Sequence, residues 1–446
     1  MKMFVYFLSI VFVSILCMQC LQAQDAVTVE TIWERSLANG NLPAWFGGDT
    51  ERGIGYGVVD NLERVYVASR GDGDRIRIID ADSGEDAGYL DMTGVSGGHF
   101  SINDVDVSDD GIVFASNMTL GAVNDPFRIY MWTTELFEPE EVITYSDENY
   151  RLGDKITVVG SVDDNSLTIY AAASRSNKIL RFTTEDNADS FDVEEITLSD
   201  ISDAGIHPSV GPTAPGDDAP FFYNASGEEH GVGIRPRFYE ADGTHQATMP
   251  GNQFLNTNSI RYLKTEWDDE YIITFRDNVD EQYAVIFALG DGAGEADSVA
   301  VTPDLGDAFN THESGDVAIR HNDDGTYTLY VQAANNGIGA YKLTFIGLNV
   351  DESDRAGVPD DFRLFQNYPN PFNPVTTIEF SIPREEHVCL TVYDVLGRQV
   401  AELYNDRIAA GNYRVAFDAS SLPSGMYLYR LETSSYSEMK RMIYMK

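Results

Sequence analysis

Apolar and polar residues alternate in short runs along most of the chain, and no long stretch carries the 3.6-period apolar face of an amphipathic helix. From Ala26 to Phe345 the pattern reads strand, turn, strand, and recurs loosely about every 50 residues, within the range of propeller blades. Asp104-Val-Asp-Val-Ser-Asp-Asp-Gly-Ile-Val-Phe-Ala-Ser-Asn117 sets the plan, and Lys155–Ser174, Ser259–Arg276 and Asp316–Asn335 repeat it. A third run follows each, at Phe127–Trp132, Lys178–Phe182, Tyr283–Phe287 and Ile338–Phe345; Glu141–Tyr145 and Val193–Leu198 supply fourth runs. Two looser units lie at Gly55–Leu90 and at 204–250, making six. The last unit lacks a fourth run, while Val27-Thr-Val-Glu-Thr-Ile-Trp-Glu-Arg35 stands unpaired at the start; pairing the two removes the exposed edges of an open sheet. The expectation is an all-β six-bladed β-propeller over residues 24–348, with seven blades as the alternative.

The pattern then changes. Phe365-Gln-Asn-Tyr-Pro-Asn-Pro-Phe-Asn-Pro374 holds three prolines and three asparagines. Each Pro fixes its own φ and pushes the preceding residue towards extended backbone, so neither helix nor central strand runs through it. Period-two runs follow at Thr376–Pro383, Val388–Asp394, Ala410–Asp418, Ser424–Leu431 and Lys440–Lys446, with Gly397, Gly411 and Gly425 at turns. Six or seven short strands in this length predict a small Ig-like β-sandwich over 362–446. These landmarks, with Asn367, Pro369, Asn370, Pro371, Phe372, Asn373 and Pro374 in the lead-in, resemble the C-terminal sorting domain of the type IX secretion system of the Bacteroidetes and related bacteria. The resemblance implies that the rest of the chain is cargo, that the secretion machinery is a partner, and that the destination is the cell surface or the medium.

The N-terminus reads as a signal peptide over 1–23: Lys2 supplies charge, Phe4–Met18 is apolar, and Leu21-Gln-Ala23 offers a cleavage site. Leu16 and Gln19 precede Cys17 and Cys20, whereas lipidation calls for a small residue there. After cleavage only Cys389 remains, so no intrachain disulfide forms and no transmembrane helix is left in the mature chain. The net charge is −42. From Phe362 onward nine basic and nine acidic side chains balance, leaving 21 basic and 63 acidic in residues 1–361. That break places a linker at 349–361 and argues against nucleic acid and anionic membrane surfaces as partners.

The chain holds no zinc-protease helix motif, Gly-x-Ser-x-Gly elbow, phosphate loop or dinucleotide fingerprint, and its seven histidines are scattered. The acidic turns Asp109-Asp-Gly111, Asp163-Asp-Asn165 and Asp323-Asp-Gly325 lack the ligand spacing of a calcium loop and suit hairpin turns. No cofactor is expected; Asp72 and Asp74 are the candidates for a bound Ca²⁺. The second run of each unit ends on a polar residue: Arg70, Asn117, Ser174, Asn224, Arg276 and Asn335. In a propeller those ends share one face, which makes them candidates for binding an extracellular glycan or peptide. Residues 69–132, from Ser69-Arg-Gly-Asp-Gly-Asp74 through Val95-Ser-Gly-Gly-His-Phe-Ser-Ile-Asn-Asp104 to Pro126-Phe-Arg-Ile-Tyr-Met-Trp132, also resemble an uncharacterised family of secreted bacterial propellers, which supports the fold and implies no reaction. Binding without catalysis is the expected function; a hydrolase or lyase acting on extracellular polysaccharide and a structural surface component are the alternatives.

Overall fold

The computed structural model describes residues 27–446, apart from 351–360, 202–204, 230–231, 252–256, 279–280, 311–313, 346–347 and single positions at 227, 234, 267, 291, 409 and 421. The expected signal peptide and most of the expected linker lie outside the described residues. The chain divides into two compact units, one spanning Ala26–Gly347 and the other containing Leu348–Lys446.

Among the described residues, the first unit consists almost wholly of six four-stranded antiparallel sheets. Sheet 1 is Glu51–Val59, Leu62–Ser69, Arg75–Asp80 and Asp86–Tyr89; sheet 2 is Phe100–Val107, Val113–Met118, Phe127–Trp132 and Glu140–Tyr145. Sheet 3 is Ile156–Val159, Thr168–Ala172, Lys178–Thr183 and Asp192–Thr197; sheet 4 is Ile206–Pro212, Phe221–Ser226, Arg237–Tyr239 and His245–Thr248. Sheet 5 is Thr257–Lys264, Glu270–Asn278, Glu281–Ala288 and Asp297–Val301. Sheet 6 is Gly315–His321, Tyr327–Ala333, Gly337–Phe345 and, as its fourth strand, Val27–Ser36 from the start of the unit. That strand runs antiparallel to Gly337–Phe345 from Val27↔Phe345 to Ser36↔Gly337, as the unpaired N-terminal run predicts.

The first strands neighbour one another in circular order, sheet 1 to sheet 6 and back to sheet 1. An apolar cluster fills the space between each pair of neighbours. Phe114, Phe127 and Ile129 of sheet 2 meet Ile169, Leu180 and Phe182 of sheet 3, and Val65, Val67 and Ile79 of sheet 1 meet Tyr330, Ile338 and Ala340 of sheet 6. The short period-two runs therefore bury apolar residues on both faces of each sheet. Hydrogen bonds also tie sheet 6 to the region of sheet 1: Trp33 Nε1 donates to the Ala81 carbonyl at 2.8 Å, and Arg35 pairs with Asp86 at 2.8 Å.

The second unit holds two four-stranded antiparallel sheets. Leu348–Val350, two residues of which fall in the expected linker, is a strand paired with Gly411–Asp418. The proline-rich lead-in is fastened down. Asn367 is buried and donates to the Thr376 hydroxyl at 2.8 Å and the Pro369 carbonyl at 3.1 Å. Phe372 is buried against Phe417 and Tyr444, and Asn370 Oδ1 accepts the Ile443 N–H at 2.9 Å. The Asn and Phe of the lead-in thus hold the final strand, Ser437–Tyr444, in place. Gly397 lies in the Asp394–Arg398 turn with φ 78°, a conformation that glycine takes without strain; Gly411 and Gly425 each open a strand.

Candidate functional site

Four of the six first strands begin with a bulge. Pairing slips between Glu51 and Ile54, between Phe100 and Asp104, between Ile206 and Ser209, and between Asn258 and Arg261. A bulge inserts an unpaired residue and re-aims its side chain. Arg52, Asn103 and His207 sit in these bulges, and His207 and Ser259 hold left-handed φ values of 52° and 54°. Arg52, Asn103 and His207, together with Arg151, Asp154, Lys155 and Asn258, wall a cavity of about 180 Å³ where the first strands begin, with His99, Phe100, Met118, Leu120, Ser314 and Gly315 completing the wall.

The cavity's charges are ordered by one another. Asp154 accepts both Arg151 Nε at 2.9 Å and Arg151 Nη2 at 2.6 Å, and also the Ser174 hydroxyl. Burial alone would raise Asp154, but Arg151, His207 and Ser174 outweigh it and hold the carboxyl below its usual range. His207 Nε2 lies 3.9 Å from Asp154 and Nδ1 lies 3.4 Å from the Ser226 hydroxyl. Burial pushes His207 down to about 4; Asp154 opposes this, while Arg151, Arg52 and Lys155 add to it. Arg70, brought down to about 10 by burial and the nearby Arg52, donates to Asn103 Oδ1 at 3.0 Å and lies over the Phe100 ring at 3.5 Å.

Below the cavity the centre of the circle is filled by a buried ionic group. Lys155 Nζ lies 2.9 Å from Asp316 and 3.8 Å from Asp104, and donates to the Arg52 carbonyl at 3.1 Å. Arg261 pairs with Asp106 at 2.9 Å and donates to the Val317 carbonyl at 3.2 Å. The carboxylates also fasten one first strand to the next. Asp104 accepts the Ile156 N–H at 2.6 Å, Asp106 the Val158 N–H at 2.9 Å, and Asp316 the Ile54 N–H at 3.3 Å. Ser209 accepts the Ile260 N–H at 3.2 Å, and Thr157 donates to the Val210 carbonyl at 2.6 Å. Burial pushes Asp104 and Asp106 up; Asp316, where burial acts the same way, is held down by Lys155, Arg261 and Ser259. At the opposite ends of the first strands lies a second cavity of about 440 Å³, lined among others by Tyr56, Asp106, Arg261, Tyr262 and His321.

The six polar residues at the second-strand ends lie beside the starts of the first strands, around the 180 Å³ cavity, but they do different work. Arg70 supports Asn103, and Ser174 supports Asp154. Asn117 is buried, donating to the Pro126 carbonyl at 2.9 Å and accepting the Arg128 N–H at 2.8 Å. Asn224 is buried and donates to Thr257 and to the Ser259 carbonyl. Asn335 pairs with Asp49 through both its amide atoms, and Arg276 lies 5.9 Å from the Tyr283 ring centre. None of the six is itself a wall residue. Asp72 pairs with Arg77 and Arg75, and Asp74 accepts the Ser101 hydroxyl. Among the described residues no group of three or more His, Cys, Asp or Glu is placed to hold a metal ion.

The wall residues and the ionic group escaped the sequence reading, although a signal was present. The repeated units begin at Asp104-Val-Asp106, Lys155-Ile-Thr157, Ser259-Ile-Arg261 and Asp316-Val-Ala318. Polar and charged residues recur at the head of what must be the most buried strand, and such residues are almost never fully buried unless paired. The pattern therefore marks a shared centre.

Residues 366–445 match the family described as the secretion system C-terminal sorting domain. The tail is thus a type IX secretion sorting domain, which directs the chain to the outer surface or the extracellular space. No curated protein matches the chain in sequence. Among solved structures, PorZ, a surface component of the type IX secretion system of Porphyromonas gingivalis, is similar at 12% identity and a TM-score of 0.37 over 88% of this chain and 51% of PorZ; the chain spans about half the length of PorZ. An α-L-arabinofuranosidase from Fusarium graminearum is similar at 9% identity and 0.46 over 71% of this chain and 98% of that one. An exo-β-1,3-galactanase from Phanerochaete chrysosporium is similar at 7% identity and 0.36 over 80% and 96%.

Proposed function

We propose that residues 26–347 form a closed six-bladed β-propeller, delivered to the cell surface by an Ig-like β-sandwich tail, which binds an extracellular ligand without catalysing a reaction. Six sheets with first strands in circular order, and an apolar cluster between sheets 6 and 1 as between the others, support the closed ring. The observation that carries the binding reading is the 180 Å³ cavity, whose wall is built from bulged strand starts and ordered by buried polar contacts. A wall fixed in this way is preorganised, which lowers the cost of binding. The carboxylates near it are committed elsewhere: Asp104, Asp106 and Asp316 to neighbouring strands and cations, Asp154 to Arg151. Asp154, held below its usual range, is a poor proton donor near neutral pH, and Asp104 and Asp106, which burial pushes up, are not wall residues of this cavity.

The test is a glycan and peptide array probed with the mature chain, read for both binding and products. Saturable capture without turnover, weakened by Arg151→Gln, is expected. Product release would make the protein a hydrolase or lyase, and the absence of any ligand would favour a structural surface component.

A further inference from the structure

The cavity at the strand starts has a charge opposite to that of the chain. Its wall carries Arg52, Arg151 and Lys155 against a single carboxylate, Asp154, in a protein of net charge −42. Arg52 and Lys155 are buried, whereas Arg151 keeps 27% of its side chain exposed. Arg151 meets Asp154 through Nε and one Nη, so the other edge of its guanidinium is left to face a ligand. Burial holds the pKa of His207 low, against the pull of Asp154, and leaves its ring neutral, able to donate and accept. Asn103 and Asn258 add amide groups to the wall, and Leu120, 56% exposed, adds an apolar surface at its edge. Size narrows the occupant further: an apolar cavity of about 150 Å³ holds one benzene-sized ring, and 180 Å³ suits one ring with a small substituent, too little for a folded peptide segment.

Building on the binding reading above, we propose that the cavity takes the acidic end of a glycan, one uronic acid residue, with its carboxylate against Arg151 and Arg52 and its hydroxyls against the Asn103, Asn258 and His207 side chains. Arg suits this role because its planar fork matches a carboxylate. The amide and imidazole groups distinguish a hydroxylated ring from a bare carboxylate.

The test is calorimetric titration of the mature full chain with D-glucuronate, methyl β-D-glucopyranoside, N-acetylalanine and sodium sulfate at low salt. Saturable glucuronate binding is expected, with each of the other three weaker by roughly tenfold or more, the range of a charge-assisted hydrogen bond. Arg151→Gln should lose a similar factor. Because that change also strips Asp154 of its partner, Leu120→Asp is the second variant: it adds repulsion at the exposed edge without touching the ionic contacts, and should weaken glucuronate more than the glucoside. Equal binding of glucuronate and the glucoside would overturn the acidic-sugar inference while leaving the binding site standing. Stronger binding of N-acetylalanine would assign the site to a peptide carboxylate, and stronger binding of sulfate to a sulfate ester, each against this proposal. Silence from all four probes would also overturn it, and the array would then decide the broader reading on its own.

Discussion

Gly53→Ala tests whether the side-chain fasteners between first strands hold the circle together. A Cβ at Gly53 would lie 1.8 Å from Asp104 Oδ1 and 2.7 Å from the Val105 nitrogen. Asp104 is buried and accepts the Ile156 N–H at 2.6 Å beside Lys155, so the neighbour cannot swing into solvent. The first strand of sheet 2 must therefore shift, or Asp104 must give up its bond. Overpacking of a close-packed site costs about 1–3 kcal/mol, and a buried polar group left without its partner costs about 1–3 kcal/mol more. Against these, replacing Gly by Ala restricts the unfolded chain and returns about 0.4–1 kcal/mol. The net expectation is a loss of about 3 kcal/mol. Urea unfolding followed by tryptophan fluorescence reads this unit selectively, since Trp33, Trp45, Trp132 and Trp267 all lie in residues 26–347. Two controls set the scale. Gly294→Ala meets nothing within 4 Å and should fall within about 0.5 kcal/mol of the parent. Gly57→Ala meets the Val107 side chain first, nearest at 2.4 Å, which can turn, and should fall between the two. A Gly53→Ala protein indistinguishable from Gly294→Ala would refute the fastening role of Asp104.

The same unfolding assay across pH addresses His207. Its folded pKa of about 4 lies below the ordinary 6.5, so its contribution to stability is complete above 6.5 and is lost as pH falls towards 4. That amounts to about 3 kcal/mol over the window, and His207→Gln should flatten this part of the profile; Asp104, raised by burial, acts in the opposite sense in both proteins and cancels in the comparison. An unchanged slope would show that His207 is free to protonate when folded. Deleting residues 27–36 removes the fourth strand of sheet 6 along with the Trp33–Ala81 and Arg35–Asp86 ties, and should lead to aggregation or rapid proteolysis; an unaltered urea midpoint would contradict the closure. Deleting residues 362–446 should strand the protein in the periplasm, detected by fractionation and protease shaving of intact cells, and normal surface delivery of the truncated chain would count against the role of the tail.

The sequence by itself determined the class of structure and the destination. Period-two runs separated by Gly, Asp and Asn leave little besides short strands, because side chains alternate faces along a strand. The acidic turns behave as expected, with left-handed φ at Gly111, Asn165 and Gly325. The partnership of Val27–Ser36 with the last sheet was legible because an unpaired run at one end matched a missing strand at the other. The tail was legible because its address lies in local order, in the spacing of Asn, Pro and Gly. The site was legible only in part. Asp104, Lys155, Arg261 and Asp316 head four of the repeated units and stand up to 212 positions apart in the chain; their recurrence at the unit heads marks a shared centre, but nothing local says which of them pair. The bulges that turn Arg52, Asn103 and His207 into the cavity arise from slips of pairing between strands, a property of two partners at once. The second-strand ends Arg70, Asn117, Ser174, Asn224, Arg276 and Asn335 are none of them wall residues of the cavity. Only the tertiary structure could decide which residues wall it, because burial and the pairing of charges depend on which strands the fold brings together.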